Sequence, residues 1–230
     1  MIGVVERLWR YPVKSMRGES LDRLVVDGRG AVGDRLFAVR DEAGKFGSGK
    51  DTRRFRRIDG LFRFHARCEG EAPVVGFPDG SEIAGDDPLV HEALSRALGL
   101  QVTLAREAAV SHLDAGPLHL ITTSSLAAIG LVDHDALRFR PNLLIRTDGT
   151  GFVEDEWLGR RIQLGHEVVV EVVSTTERCR MIGLQQGELP DSPGLLRQLA
   201  ETRHARFGVY AQVLIPGAIH SGDRLRFAVP

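Results

Sequence analysis

The sequence predicts a mainly β protein of the α+β type, in which many short strands accompany a few helices. Three features support this prediction. Short runs that alternate between apolar and polar side chains, or that are apolar throughout, recur along the chain. Turn-forming residues separate these runs, and segments with helical spacing are few. Short antiparallel strands joined by turns indicate a barrel-like sheet and argue against a parallel doubly wound one.

The first half of the chain contains most of the predicted strands of one domain. They lie at residues 4–9, 21–26, 35–40, 61–66 and 74–77. The glycine-rich residues 44–50 and the arginine-rich residues 53–57 are predicted to form a loop. A helix is predicted to begin at Pro88 and to end before Gly99, because proline suits the first helical position and glycine the position after the last.

The second half of the chain is also rich in predicted strands. They lie at residues 118–121, 143–146, 161–164, 168–173, 209–215 and 225–229. Helices are predicted at residues 126–129 and 193–202. The periodic pattern fades over residues 105–116, which predicts a linker. We therefore expect two domains, residues 1–110 and residues 111–230.

Composition excludes several classes of protein. The chain has 30 basic and 31 acidic residues and a net charge of -1, so no overall field favours nucleic acid or an anionic membrane. Its two cysteines do not form a disulfide framework, and both are expected to be reduced. We find no signal peptide and no apolar run of the roughly 18 residues that span a bilayer. We therefore expect a cytoplasmic protein that binds neither membrane nor nucleic acid.

Cys179 is the most informative single residue. It follows the strand predicted at residues 168–173 and lies between Arg178 and Arg180. Cationic neighbours favour a thiolate, the form that attacks electrophiles and binds soft metals. A nucleophile, a sulfur carrier and a metal ligand all fit this pattern. Cys68 has no such neighbours on both sides and is interpreted as structural.

Two further patterns point to anion binding. Lysines are rare in this arginine-rich chain, and one of the three, Lys14, lies beside Ser15. Lysine offers a compact point charge where arginine offers a rigid fork. Four consecutive hydroxyl residues begin a predicted helix, where they either cap it or surround an anion; they are Thr122, Thr123, Ser124 and Ser125. No glycine-rich nucleotide-binding motif and no Cys-x-x-Cys motif occurs.

Seven short sequence blocks occur in an order that identifies a family. They are residues 11–15 (Tyr-Pro-Val-Lys-Ser), 33–37 (Gly-Asp-Arg-Leu-Phe), the hydroxyl run with Leu126, residues 140–142 (Arg-Pro-Asn), 178–179 (Arg-Cys), 207–210 (Phe-Gly-Val-Tyr), and Gly217 with Gly222 and Asp223. Over nearly its whole length the chain resembles the MOSC family, and within it the amidoxime-reducing component branch and its bacterial relatives. The resemblance implies an N-terminal β-barrel-like domain followed by a barrel-like MOSC domain.

The resemblance also implies a cofactor and a reaction. The cofactor is the molybdenum cofactor, molybdenum bound to molybdopterin, and Cys179 is the implied catalytic residue and metal ligand. The implied cofactor-binding residues are Lys14, Ser15, Arg35, Thr122, Thr123, Ser124, Ser125, Arg140, Asn142, Arg178 and Tyr210. The implied substrates are small N-hydroxylated compounds or related N- or S-oxides, which are reduced. The cysteine spacing of a plant-type 2Fe–2S domain is absent, so electrons are expected from a separate ferredoxin, cytochrome or flavoprotein.

One residue departs from the family pattern, and two other functions stay open. Close eukaryotic relatives have a serine before the Arg-Cys pair, where this chain has Glu177. A carboxylate there changes the contacts available to an anionic cofactor. In the first alternative function, Cys179 carries a persulfide for delivery to another protein or metal centre. In the second, the protein binds or transports the cofactor without turnover.

Overall fold

A computed structural model describes residues 1–228 of the chain. Twelve strands come from the first half: β1 (Gly3–Arg10), β2 (Val13–Lys14), β3 (Glu19–Leu21), β4 (Arg23–Asp27), β5 (Gly30–Ala31), β6 (Phe37–Asp41), β7 (Phe46–Ser48), β8 (Phe55–Arg57), β9 (His65–Glu69), β10 (Ala72–Gly76), β11 (Glu82–Ala84) and β12 (Val102–Arg106). Seven follow: β13 (Leu118–Thr122), β14 (Leu143–Arg146), β15 (Arg161–Leu164), β16 (Val168–Glu177), β17 (Arg206–Ile215), β18 (Gly217–His220) and β19 (Arg224–Phe227).

Helices are short and few in this part of the chain. The α-helices are α1 (Leu89–Leu98), α2 (Thr123–Ala128) and α3 (Leu195–Arg203). Short 3-10 helices of three to seven residues lie at Leu61–Arg63, Asp133–Phe139, Val153–Trp157 and Arg180–Gly183. The prediction of a mainly β fold with a few helices is therefore confirmed.

A closed seven-stranded barrel dominates the second half of the molecule. Its strands follow one another in the order β14, β13, β17, β16, β15, β19 and β1. The ring closes because β1 pairs with both of its neighbours: Val4 lies opposite Arg146 of β14 and Arg224 of β19. All neighbouring strands in the ring are antiparallel except β13 and β14. Closure leaves the ring itself without an exposed edge strand.

The alternating pattern of the barrel strands explains its core. Leu8, Leu120, Leu143, Val170 and Leu225, which come from five different strands, are completely buried and pack together. Each such side chain contributes about 1.5–3 kcal/mol relative to an exposed position. The apolar side chains therefore determine which face of each strand turns inward.

The first strand of the sequence belongs to this barrel. β1 is separated from the other ring strands by more than one hundred residues, which form the smaller sheets. The two halves of the chain are thus joined by strand pairing as well as by their connection. The domain boundary between residues 110 and 111 stays a prediction.

Strand β3 pairs with β1 at the side of the barrel, and the other strands of the first half form three smaller sheets, one of which includes β18 of the second half. One has the order β12, β6, β7, β8, with β2 paired to β6; the others have the orders β11, β10, β9 and β18, β4, β5. Helix α1 packs on the first of them and buries Val90 and Leu94 in a second core. This sheet includes β2, β7 and β8, which lie at the edge of the candidate site.

Four predictions of local structure need correction. Residues 61–63 form a 3-10 turn, because Gly60 has φ +88° and redirects the chain, so strand β9 begins at His65. Residues 44–57 contain β7 and β8, which are paired strands within the predicted loop. β12 occupies the start of the predicted linker. β19 ends at Phe227, and Val229 lies outside the described residues.

Candidate functional site

Cys179 lies in the wall of a cavity, two residues after the end of β16, one of the two longest barrel strands. β16 ends at Glu177, and Cys179 is the residue before the 3-10 turn Arg180–Gly183. The thiol is half-buried and lines a cavity of about 470 Å³. Arg178 lines the same cavity, whereas Arg180 is exposed and is not part of its wall. Only one of the two flanking arginines therefore acts on this site.

The cavity is strongly cationic and is built from both halves of the chain. Its wall includes seven basic side chains, Lys14, Arg35, Lys50, Arg54, Arg138, Arg140 and Arg178. The carboxylates in the wall are those of Asp114 and Glu177. Since the whole chain has a net charge of -1, this is a local concentration of positive charge.

Lys14 lies deep in the wall. β2 pairs with β6 and holds Lys14 with only 4% of its side chain exposed. Its Nζ donates to the carbonyl oxygen of His112 at 2.8 Å and contacts the carboxylate of Asp114. Burial lowers the pKa of Lys14, and Asp114 opposes that shift. Lys50, another of the three lysines, lines the same cavity.

Arg35 and Arg140 are held together by an aromatic ring. The Tyr11 ring lies 5.0 Å from the Arg35 guanidinium and 4.3 Å from that of Arg140. Arg35 Nη2 donates to the carbonyl oxygen of Arg140 at 3.0 Å, and Arg140 Nη1 donates to that of Met16 at 2.5 Å. Burial, together with the charge of Arg35, lowers the pKa of Arg140 to about 10. The two arginines therefore form one preorganised cationic unit.

Backbone strain is concentrated in this site. Within residues 1–228, five non-glycine residues have positive φ, and three of them line the cavity: Ser15 (65°), Arg35 (50°) and Arg140 (54°). Each left-handed non-glycine residue costs of order 1–3 kcal/mol and persists because the surrounding structure imposes it. Ser15 is fixed by donation from its Oγ to the carbonyl oxygen of Gly47 at 3.0 Å. Such strain is typical of ligand-binding positions.

Arg178 is positioned by a buried histidine. Its Nη2 donates to the carbonyl oxygen of Phe139 at 2.7 Å, and its Nη1 lies 3.4 Å from Nε2 of His119. Burial and the positive charges of Arg178 and Arg35 hold the pKa of His119 well below its usual range, so the ring is neutral. Tyr210 packs against His119 with ring centroids 5.4 Å apart, and burial raises its pKa. Gly208, at φ +78°, leaves room for the imidazole, because a Cβ there would lie 2.8 Å from Nε2.

Three guanidinium nitrogens of the cavity wall have no hydrogen-bond partner among residues 1–228. They are Arg138 Nη1, Arg140 Nη2 and Arg178 Nε, all of which are buried. A buried donor without a partner costs about 1–3 kcal/mol. An anionic or carbonyl-rich ligand in the cavity would satisfy such donors, so the donor set fits a phosphorylated pterin. The thiol of Cys179 in the same wall adds a soft ligand for a metal.

The structure does not bring every predicted residue to this cavity. The hydroxyl run turns away from it: Thr122 and Ser125 donate to the Glu154 carboxylate at 2.7 and 2.6 Å. Thr123 and Ser124 bond with Thr147. Thr122 also caps α2 by accepting from the backbone N–H of Ser125. All four side chains are thus engaged by neighbouring protein groups, and their predicted contact with the cofactor stays a prediction that their placement does not support.

Asn142 also lies outside the cavity wall. Its amide oxygen accepts from the backbone N–H of His119 at 3.1 Å, and its Nδ2 donates to the carbonyl oxygen of Trp9 at 3.3 Å. The side chain therefore joins β1 to β13. It helps to position His119 and Arg140 from the side that faces away from the cavity. A contact with the cofactor is not supported by this placement.

Several cavity residues were missed by the sequence analysis. Asp114, Arg138 and His119 lack neighbours in sequence that mark them as site residues. Tyr11 was recognised only as part of a sequence block, although its ring orders two arginines. His119 could have been recognised because it is a polar residue within the apolar run of a predicted strand.

Residues 1–228 contain neither a cluster of metal-ligating side chains nor a membrane-spanning helix. No group of three or more histidine, cysteine, aspartate or glutamate side chains in that range lies close enough to hold a metal ion. None of the helices described there has the length and apolar character needed to cross a membrane.

Family models match both halves of the chain. The MOSC domain matches residues 100–226, and the MOSC N-terminal beta barrel domain matches residues 2–85. The first match covers more than half of the chain, so the chain belongs to the MOSC domain family. Some members of this family bind the molybdenum cofactor.

A solved structure over nearly the whole chain shows a related fold. The YUAD protein from Bacillus subtilis has a TM-score of 0.53 at 16% identity, and the alignment covers 98% of this chain and 94% of that one. The YiiM protein from Geobacillus stearothermophilus has a TM-score of 0.38 at 21% identity, with 50% and 55% coverage. No curated protein matches significantly. At 16% identity, the similarity to YUAD concerns the fold alone.

Proposed function

We propose that this MOSC protein binds a molybdenum–molybdopterin cofactor in the cavity beside Cys179 and acts as a reductase. The observation that carries this proposal is the combination of one thiol with seven basic side chains in the wall of a single cavity. Three buried guanidinium nitrogens there have no partner, which is the arrangement that an anionic ligand completes. A thiolate is a suitable protein ligand for a soft metal.

Each part of the cavity has a distinct task in this proposal. Cys179 would ligate molybdenum, and Arg35 and Arg140 would hold the anionic and carbonyl groups of the pterin. Lys14 contributes a point charge from the floor, while Arg178 is aimed by His119 and Phe139. When bound, the cofactor supplies two-electron or oxygen-atom transfer. The protein supplies a rigid cationic cradle that needs little reorganisation.

The substrate class follows from the sequence blocks that the chain shares with the amidoxime-reducing branch. We propose small N-hydroxylated compounds or related N- or S-oxides, reduced to the parent compound. Electrons would come from a separate carrier protein of the ferredoxin, cytochrome or flavoprotein type. Glu177 is exposed at the cavity wall, where it would face an incoming substrate and disfavour anionic ones.

Metal and pterin content tests this proposal. The protein is expressed in a host that makes the cofactor, purified, and analysed for molybdenum and pterin. We expect close to one of each per wild-type chain and loss of molybdenum in Cys179→Ser. Cys68→Ser is the matched control, because Cys68 is a half-buried thiol that does not line the cavity. Wild-type protein without molybdenum, or Cys179→Ser with a full complement, would contradict the proposal.

The same material distinguishes the two alternative functions. A persulfide carrier would show a labile sulfur adduct on Cys179 by mass spectrometry and no molybdenum. A protein that only binds or transports the cofactor would contain it but would not reduce benzamidoxime with reduced methyl viologen. Turnover in that assay supports the reductase.

A further inference from the structure

A basic segment adjoins the mouth of the cavity. Residues 50–57, which we call the basic rim, contain five basic side chains and one acidic side chain. The chain as a whole has a net charge of -1, so the rim is a local exception. Three of its residues, Lys50, Arg54 and Phe55, line the cavity that holds Cys179.

The inner part of the basic rim is fixed by packing. Lys50 and Arg54 lie over the ring of Phe55 at 5.0 and 5.5 Å from its centroid. Arg54 also donates to the carbonyl oxygens of Ser111 and Leu113. Strand β8 pairs with β7 and holds the segment against the smaller sheet. The rim is therefore an ordered surface next to the site.

The outer part of the basic rim is exposed. Arg53 and Arg56 are exposed, and neither has an ion-pair partner among residues 1–228. Arg57 pairs with Asp59 at 2.9 Å. The guanidinium groups of Arg53 and Arg56 thus lack a counter-charge in this part of the chain. In sequence, each lies within three residues of a side chain that lines the cavity. Nothing in the internal packing of the described residues requires them to be charged.

We propose that the basic rim is the docking surface for an acidic one-electron carrier protein. The proposal rests on the proposed function and names the surface by which its electron donor acts. Opposite charge increases the association rate of carriers that form small, transient interfaces. Docking there places the carrier beside the cavity that contains Cys179.

The reaction balances with the carrier as reductant. Two reduced carriers each give one electron and are oxidised. With two protons from solvent, these electrons cleave the N–O bond of an N-hydroxylated substrate, and the products are the N–H compound and one water. One carrier leaves before the next arrives, so a weak, salt-sensitive interface suits this turnover.

An acidic protein fits the basic rim better than nucleic acid does. Phe55 is the only aromatic residue in the segment. Three cations, those of Lys14, Lys50 and Arg54, lie over its ring, which also packs 6.3 Å from the ring of Phe46. It is therefore not free to stack on a base. The near-neutral chain also lacks the extended positive field that nucleic-acid binding proteins carry.

The test compares carrier-driven with dye-driven reduction of benzamidoxime by the cofactor-loaded protein. The probes are a plant-type ferredoxin, a flavodoxin and a soluble cytochrome b5 domain, all acidic, each supplied with its own reductase. In Arg53→Glu/Arg56→Glu we expect the KM for at least one carrier to rise about tenfold or more at low salt and its salt dependence to shrink. The rate with reduced methyl viologen should not change.

The matched control is Arg7→Glu/Arg224→Glu. It makes the same change of charge on exposed residues of β1 and β19, strands that contribute nothing to the cavity wall. We expect its carrier-driven rate to match the wild type. Equal loss in the control would show a nonspecific effect of net charge and would overturn the docking proposal.

The remaining outcomes separate the two proposals. No dye-driven turnover in the wild type overturns the proposed function and the docking proposal with it. Dye-driven turnover, with no carrier sensitive to Arg53→Glu/Arg56→Glu, overturns only the docking surface. Binding of a labelled oligouridine RNA that this variant alone abolishes, with carrier kinetics unchanged, would assign the rim to nucleic acid instead.

Discussion

Asp114 places a negative charge among the cations of the cavity wall. Asp114 lies on the loop before β13, with about half of its side chain exposed, among cations that would bind an anionic ligand. Its carboxylate contacts Lys14 and lies 3.8 Å from Nε of Arg35. Burial alone would raise the pKa of Asp114, but Lys14 and Arg35 outweigh it and lower that pKa. Asp114 therefore competes with any bound anion for the same two cations.

Asp114→Asn should strengthen anion binding. Removing the carboxylate frees Lys14 and Arg35, so the affinity of cofactor-free protein for inorganic phosphate should rise about tenfold, equivalent to about 1.4 kcal/mol. Isothermal titration calorimetry measures it. Asp133→Asn, an exposed site outside the cavity wall, is the control. Unchanged or weaker affinity in Asp114→Asn would show that the carboxylate does not compete.

Elements behind the cavity are joined by a buried carboxylate. Glu154, in the 3-10 turn Val153–Trp157, is completely buried and accepts from the hydroxyls of Thr122 and Ser125. Burial raises its pKa, although the two hydroxyls oppose that shift. Thr122 ends β13 and caps α2, so Glu154 connects a strand, a helix and a turn. The hydroxyl run thus has a structural role.

Glu154→Ala should destabilise the fold. It removes the carboxylate that both buried hydroxyls use, so that Thr122 keeps only Ser124 Oγ at 3.0 Å and Ser125 only the Gly151 carbonyl oxygen at 3.5 Å. It also creates a cavity, and we expect a total cost of about 2–4 kcal/mol in the free energy of unfolding. Chemical denaturation followed by circular dichroism measures the loss. Glu156→Ala removes an exposed carboxylate from the same turn and should change stability by less than about 0.5 kcal/mol. Equal effects of the two substitutions would contradict this role for Glu154.

The whole molecule carries two buried neutral histidines at the junction of its halves. His112 is completely buried, and burial with the nearby charge of Arg40 lowers its pKa from 6.5 to about 4. His119 is buried as well, and its pKa is lowered in the same direction. Protonation of His112 would place a positive charge beside Arg40 and Lys14, and protonation of His119 would place one beside Arg178 and Arg35. Acid should therefore weaken the assembly of the two halves.

The free energy of unfolding should fall as the pH is lowered from about 6.5 to about 4. In this range the unfolded chain binds protons at these histidines and the folded chain does not, so acid favours unfolding by up to about 1.4 kcal/mol per pH unit for each histidine. His112→Gln should reduce this slope in denaturation curves recorded across the range. The exposed His166→Gln is the control, and an unchanged slope in His112→Gln would contradict the assignment.

Local features of this protein are readable from its sequence alone. Apolar alternation located most barrel strands, and Pro88 with Gly99 bounded α1 closely. The arginine beside Cys179 and the ordered blocks indicated the MOSC family, which the family match confirms. These features are readable because strand periodicity, helix caps and short motifs depend on neighbouring residues.

The set of residues that reach the cavity depends on the three-dimensional arrangement of the chain. This arrangement places β1 in the barrel of the second half, turns the hydroxyl run toward Glu154, and brings Asp114, Arg138 and His119 to the thiol. The physical reason is that ring closure and cavity walls depend on pairings between residues far apart in the chain. A one-residue change in the register of β13 would send His119 to the opposite face. Asp114 and Arg138 reach the cavity from a loop and a 3-10 helix, where no periodic pattern indicates the direction of a side chain.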